Sequence, residues 1–167
     1  MMTPLSSKPK NFKVPLISST SPKRLTPLMA FNAGDFVEVC SKEEGFLGSY
    51  YEATVVAKIT RNNQYVVEYK TLVEDDLSVP LREVVAADEV RPPPPHEQPP
   101  MRFFCGDRVD AFDNDGWWVG TVCGMNLDEE KYYVYFELFM VGITYHSSKL
   151  RVHQDWNKGK WSTSSRY

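Results

Sequence analysis

Two stretches of this chain repeat one another, which confines it to a tandem of small, like-folded units. Gly34-Asp35-Phe36-Val37-Glu38-Val39 returns as Gly106-Asp107-Arg108-Val109-Asp110-Ala111, an offset of 72 residues. Tyr50-Tyr51-Glu52-Ala53-Thr54-Val55 returns as Trp117-Trp118-Val119-Gly120-Thr121-Val122, and Gln64-Tyr65-Val66-Val67-Glu68-Tyr69 as Lys131-Tyr132-Tyr133-Val134-Tyr135-Phe136, both at an offset of 67. The second copy therefore has the shorter first loop. Repetition in fixed order marks one supersecondary unit used twice.

Between the copies runs Arg91-Pro92-Pro93-Pro94-Pro95-His96-Glu97-Gln98-Pro99-Pro100. Its fixed φ angles and missing N–H groups exclude helix and sheet and favour an extended spacer. The expected organisation is an arm over residues 1–30, a first unit over 31–91, a proline-rich linker over 92–101, a second unit over 102–161 and a tail over 162–167. A unit of about 60 residues buries only about 60% of its unfolded surface, so the two are expected to pack together.

Inside each copy the apolar residues alternate in short runs rich in Val, Tyr, Phe and Thr, separated by Gly, Asn, Asp or Ser. That is the pattern of half-buried strands. Period two places Tyr51, Ala53 and Val55 on one face and Tyr50 on the other, and leaves open which tyrosine faces the core. Ala53 and its counterpart Gly120 are small enough for neighbouring strands to curl closely. Arg61-Asn62-Asn63 and Asn126-Leu127-Asp128 supply turns. Short helical turns are expected near residues 85–88 or after Gln154.

Charge narrows the partners. The formal net charge of -3 hides five basic residues, Lys8, Lys10, Lys13, Lys23 and Arg24, in a first segment without acids. The remainder carries 14 basic against 22 acidic residues and would repel nucleic-acid phosphates, so a basic partner is favoured. The Ser- and Pro-containing arm shows no periodicity and reads as flexible, a composition shared with organelle transit peptides. No apolar run reaches the length of a membrane helix, and a soluble chain is expected.

Cys40, Cys105 and Cys123 are odd in number and form no CxxC pair, which argues against a disulfide framework or zinc site. They read as small apolar strand residues in a reducing compartment. His96, His146 and His153 lack metal-ligand spacing, and no phosphate loop or nucleophile elbow is present. Neither a cofactor nor catalysis is expected.

Gly34-Asp35 with Val37 and Val39, the Tyr51-to-Val55 strand, the Arg91-Pro92-Pro93-Pro94 exit, Gly116-Trp117-Trp118-Val119-Gly120 and the ending Leu150-to-Trp156 with Gly159-Lys160-Trp161 together resemble the plant Agenet family. This is a branch of the Tudor-like Royal superfamily, and the likeness covers about Phe31 to Trp161. It implies an all-β fold of two small five-stranded Tudor/SH3-like barrels in tandem. It also implies a nuclear role, since some relatives read methylated lysine on histone tails and others serve as protein-interaction modules.

Methylated lysine keeps its charge while losing donors and hydration, so aromatic faces hold it through about 0.5–2 kcal/mol of cation–π attraction each. The first copy offers Phe46, Tyr50, Tyr51 and Tyr69 as cage candidates. Tyr51 and Tyr69 match Tudor cage positions best by similarity. Glu43, Glu44, Glu74, Asp75 and Asp76 lie in the two adjacent loops as acidic contacts for a basic peptide. In the second copy Trp117, Trp118 and Phe136 are further candidates, but Leu138-Phe139-Met140 replaces the acidic loop, so these rings suit inter-barrel packing better.

The leading expectation is a nuclear module that reads methylated lysine on a histone H3 tail. The alternatives are a scaffold with purely structural aromatics and, less favoured, a nucleic-acid binder using exposed rings and the arm.

Overall fold

The computed structural model describes residues 30–95 and 102–163. The expectations for the arm, for linker residues 96–101 and for the end of the tail lie outside them. The first unit contains β1 (Phe36–Val39), β2 (Ser49–Ile59), β3 (Gln64–Val73), β4 (Pro80–Ala86) and β5 (Val90–Arg91). The second contains β6 (Arg108–Asp113), β7 (Gly116–Asn126), β8 (Lys131–Phe136), β9 (Val141–His146) and β10 (Leu150–Val152). A final hairpin, β11 (Gln154–Asn157) and β12 (Lys160–Thr163), follows.

All pairings are antiparallel, and β1 to β5 connect in the same order as β6 to β10. The repeat is thus one of structure as well as sequence. In both units the third strand shifts register against the second, between Val55 and Ala57 and again between Val122 and Gly124. Such an irregularity bends a strand and raises its twist, which curls each sheet. The small residue at position 120 is required here, because a Cβ would lie 2.5 Å from Val134 Cγ1.

The repeated Gly-Asp motif has a local cause. Asp35 Oδ2 accepts the Asn32 N–H at 2.8 Å, and Asp107 Oδ2 accepts the Phe104 N–H at 2.9 Å, each closing the turn that feeds the first strand. Phe31 then packs edge-on against Tyr65 at 5.8 Å and Phe103 against Tyr132 at 5.4 Å, each buried in the core.

The all-β tandem of Tudor-like units is as expected, and three details need correction. The sheets do not close into separate barrels: β2 and β7 pair, joining the units into one ten-stranded sheet with β10-β6-β7-β2-β1-β5 as its path and with β3–β4 and β8–β9 branching from it. The residues after Gln154 form a hairpin rather than a helical turn, because Trp156 and Trp161 pair across its strands. The short turn expected near residues 85–88 is present as a 3-10 turn at Ala87–Glu89, and two more lie at Thr60–Asn62 and Ser147–Lys149. Cys105 and Cys123 are exposed rather than packed inside a strand face.

The joint is pseudo-symmetric. β2 meets β7 through Ser49↔Trp118 and Tyr50↔Trp117. Since Tyr50 and Trp117 are equivalent in the repeat, each pairs with its own counterpart, as in an isologous interface.

Candidate functional site

Tyr51 projects from β2 into the first unit and Tyr50 to the opposite side, as strand alternation demands. Tyr51 stands 6.3 Å from Tyr69 at 87° and 6.3 Å from Trp118 at 81°. Phe46, from the β1–β2 loop, lies 6.2 Å from Tyr51 and 6.5 Å from Trp118, and Phe139 packs behind Trp118 at 5.5 Å. Rings from both units therefore form one cluster at the joint. Three of the four first-unit cage candidates meet there, joined by Trp118.

Tyr50 does not join them. Its ring lies 3.3 Å from the Arg91 guanidinium and 6.2 Å from His153 on the other side of the sheet. Burial pushes its phenol pKa up to about 12, against the opposing pull of Arg91. Trp117, the repeat equivalent, carries Arg151 at 4.2 Å and is likewise directed away from the cluster. Phe136 belongs to the second unit's core, where it packs edge-on against Tyr145 at 6.1 Å.

The cluster is closed. Phe46, Tyr51, Tyr69 and Trp118 are 8%, 5%, 1% and 3% exposed, so none offers a face to a ligand in this conformation. Tyr51 is covered by the second unit: Gly116 sits so near its ring that a Cβ there would lie 2.8 Å from two of its carbons. The Tyr51 hydroxyl also donates to the Asn114 carbonyl at 3.3 Å. Burial, helped by the charge of Asp115, pushes the Tyr51 phenol up to about 12.

A carboxylate that sequence analysis passed over stands beside the cluster. Tyr69 donates to Glu83 Oε2 at 2.6 Å, and burial followed by the Glu83 charge drives the Tyr69 phenol far above its ordinary range. The signal was present in the sequence: Leu81, Glu83 and Val85 share one face of β4 by period two, so an acid there faces the core.

The acidic loops are arranged unequally. Glu43 and Glu44 are exposed on the loop that carries Phe46, and the Glu43 carbonyl accepts the Phe46 N–H at 3.0 Å. In the β3–β4 loop Asp75 and Asp76 are exposed and Glu74 is half-buried. Asp76 Oδ1 accepts from the Ser78 N–H and hydroxyl at 3.0 and 2.6 Å, so this carboxylate shapes its own turn. Phe46 and Leu47 lie between Gly45 and Gly48, with φ of +87° and +75°. Those left-handed positions let the loop turn sharply at both sides of the phenylalanine.

A second constellation lies between the units on the opposite face of the joint. Glu38 Oε2 accepts from Arg91 Nε at 2.9 Å and Nη2 at 2.7 Å, while Glu38 Oε1 accepts from Arg151 Nη1 at 2.7 Å. Asp110 accepts from Arg151 Nε at 2.9 Å and lies 2.6 Å from His153 Nδ1. Although burial alone would lower it, hydrogen bonding to Glu38 and the charge of Asp110 raise the Arg151 pKa. His153, which the sequence shows only to lack metal-ligand spacing, is buried at this joint.

The fold and sequence of this chain recur in known proteins. The Agenet domain model matches residues 34–95. The protein AGENET DOMAIN (AGD)-CONTAINING P1 of Arabidopsis thaliana is 38% identical over 143 residues, covering 86% of this chain and 27% of that protein. DUF724 domain-containing protein 3 of the same plant is 36% identical over 129 residues, 75% of this chain and 18% of the relative. The chain thus spans about a quarter or less of these relatives. Among solved structures, Arabidopsis thaliana AGDP1 AGD34 superposes with a TM-score of 0.74 at 38% identity, covering 80% of this chain and 90% of that one. The ADCP1 tandem Agenet domain 3-4 gives 0.71 at 34% identity, covering 81% and 89%.

Proposed function

The chain belongs to the Agenet family of binding modules, and on that premise we propose that it acts in the nucleus, at chromatin, holding a basic histone H3 tail and taking one methylated lysine at the Phe46, Tyr51, Tyr69 and Trp118 cluster. The observation that supports this reading is the near-perpendicular stance of Tyr51 to both Tyr69 and Trp118, with the Glu83 carboxylate on the Tyr69 hydroxyl. Rings at right angles supply walls rather than a stack, and walls are what an alkylated ammonium needs. A carboxylate beside them adds charge pairing and accepts the hydrogen that a mono- or dimethyl-lysine retains.

Entry requires movement, because the rings are covered. Phe46 is the movable wall: it sits on a loop flanked by two left-handed glycines, whereas Tyr51, Tyr69 and Trp118 are fixed in strands. Glu43 and Glu44 move with that loop, so a basic peptide that displaces Phe46 brings two carboxylates to its own side. Binding of this kind carries the opening cost in its apparent affinity and in a reduced association rate.

A second reading is favoured by the same burial: the rings serve the fold alone, and the module binds an unmodified protein. Calorimetric titration with H3 peptides bearing zero to three methyl groups on each lysine separates the two. The cage reading expects one methylated peptide to bind at least 5-fold tighter than its unmodified form, with the preference lost in Phe46→Ala. Equal affinities across the methylation series would leave only the second reading.

A further inference from the structure

The pseudo-twofold axis at the joint creates two equivalent half-sites, and the described residues fill only one of them. On one side the Arg91 guanidinium lies between Tyr50 at 3.3 Å and Trp161 of the terminal hairpin at 5.0 Å, and Arg91 Nη1 donates to the Gln154 carbonyl at 2.9 Å. On the other, Arg151 takes the equivalent place over Trp117 at 4.2 Å, and among the described residues Trp117 is the one ring it meets. The arginine side chains show the difference, 6% exposed for Arg91 against 21% for Arg151. Arg151 borders a groove of about 840 Å³ whose lining includes Phe36, Thr54, Tyr69, Trp117 and Pro93 to Pro95.

The reason the described residues do not fill the second half-site lies in the prolines. Aligning Arg91 with Arg151 places Pro93, Pro94 and Pro95 where the other side has His153, Gln154 and Asp155. Gln154 and Asp155 begin β11, whose ladder carries β12 and Trp161 over Arg91. Prolines have no N–H to offer, so the first exit segment cannot found an equivalent hairpin. What remains is a guanidinium with one stacked face, a row of proline rings and the outer surface of Phe36, which is 75% exposed.

We propose that this groove, which shares Tyr69 with the aromatic cluster, is a second binding site that receives an aromatic side chain from an extended segment of a partner protein. The ring stacks on the free face of Arg151 as Trp161 stacks on Arg91, and its other contacts are the proline rings and Phe36. Arginine suits this because its planar cation stacks on aromatic faces while its edge stays hydrogen-bonded, here to Glu38 and Asp110. Side-chain recognition dominates, since Pro93 to Pro95 cannot donate to a partner's backbone.

The molecule supplies its own probe, a synthetic peptide with the sequence of residues 153–163, added to the ¹⁵N-labelled full chain. The Arg151 Nε–H and Trp117 indole N–H resonances are expected to shift saturably while Arg91 Nε–H stays put. Replacing both tryptophans of the peptide by serine should weaken binding at least 10-fold. Thr54→Trp, which fills the groove from β2, should do the same with the remaining spectrum preserved. If that variant does not fold, Phe36→Ala on the exposed rim should weaken binding at least 3-fold. No shift at Arg151 and Trp117, equal binding by the serine peptide, or shifts at Arg91 that report exchange of the native hairpin would each overturn the proposal. None of these outcomes depends on whether histone peptides bind.

Discussion

Tyr50 and Trp117 face one another as a paired rung between β2 and β7, and each carries an arginine on its ring, Arg91 at 3.3 Å and Arg151 at 4.2 Å. Two repeats have thus brought equivalent residues together around an axis. The equivalence stops at the acids. Glu38 is one methylene longer than its counterpart Asp110 and reaches both arginines, whereas Asp110 reaches Arg151 and His153. One carboxylate therefore bridges the two arginines, with only 2% of Glu38 exposed.

Glu38→Gln should destabilise the chain by about 3–5 kcal/mol, because breaking a buried ion pair from one side strands the charges that remain. Two guanidinium groups lose their shared partner, and Arg91 has no second carboxylate among its described hydrogen bonds. Urea denaturation checks this. A loss below about 1 kcal/mol, the value of exposed pairs, would mean that water already screens the joint.

Gly116→Ala should cost about 1–3 kcal/mol through overpacking, since its Cβ would press on the rigid, buried Tyr51 ring. Gly142→Ala makes a useful contrast: its Cβ would also overlap a ring, but that ring is Tyr133, which is exposed and free to swing aside. Thermal unfolding of the pair should show a clearly larger drop in Tm for position 116. A larger drop for position 142 would show that Tyr51 yields and Tyr133 does not.

The repeat and strand alternation were legible in sequence because both are local: the offsets follow from identity, and the faces follow from period two. The fused sheet was not, since no local rule says that Tyr50 will pair with Trp117 rather than with solvent. Burial of Tyr51 escaped the same reading, as the covering atoms of Asn114 and Gly116 come from the other copy. Glu83 could have been found from its place between Leu81 and Val85. The role of Arg151 could not, because it depends on Glu38, which lies 113 residues away.

Alkali should unfold the protein sooner than a chain with exposed tyrosines. Burial holds Tyr50 and Tyr51 at about 12, above the ordinary value of 10, so between these limits the unfolded state releases protons that the folded state retains. Stability from both groups is intact below pH 10 and falls as pH rises toward 12. Phenolate absorbance at 295 nm should show these two tyrosines ionising only with unfolding, and Tyr50→Phe should lessen the pH dependence. Reversible ionisation near pH 10 of all tyrosines in the folded chain would contradict their burial.

Glu83→Gln tests the electrostatic half of the proposed cage with little disturbance of shape. The glutamine keeps an oxygen to accept the Tyr69 hydroxyl, now 2.6 Å from the carboxylate, but removes the charge. A cation held by rings alone would hardly notice, whereas one paired with Glu83 loses a charge-assisted hydrogen bond, typically about 1.5–3 kcal/mol. Affinity for the preferred mono- or dimethylated H3 peptide should therefore fall about 10-fold or more, with the trimethylated form, which has no N–H to give, losing less. The unfolding midpoint should change little. Equal losses for all methylation states would place the carboxylate's role in the field around the site rather than in contact with the ammonium.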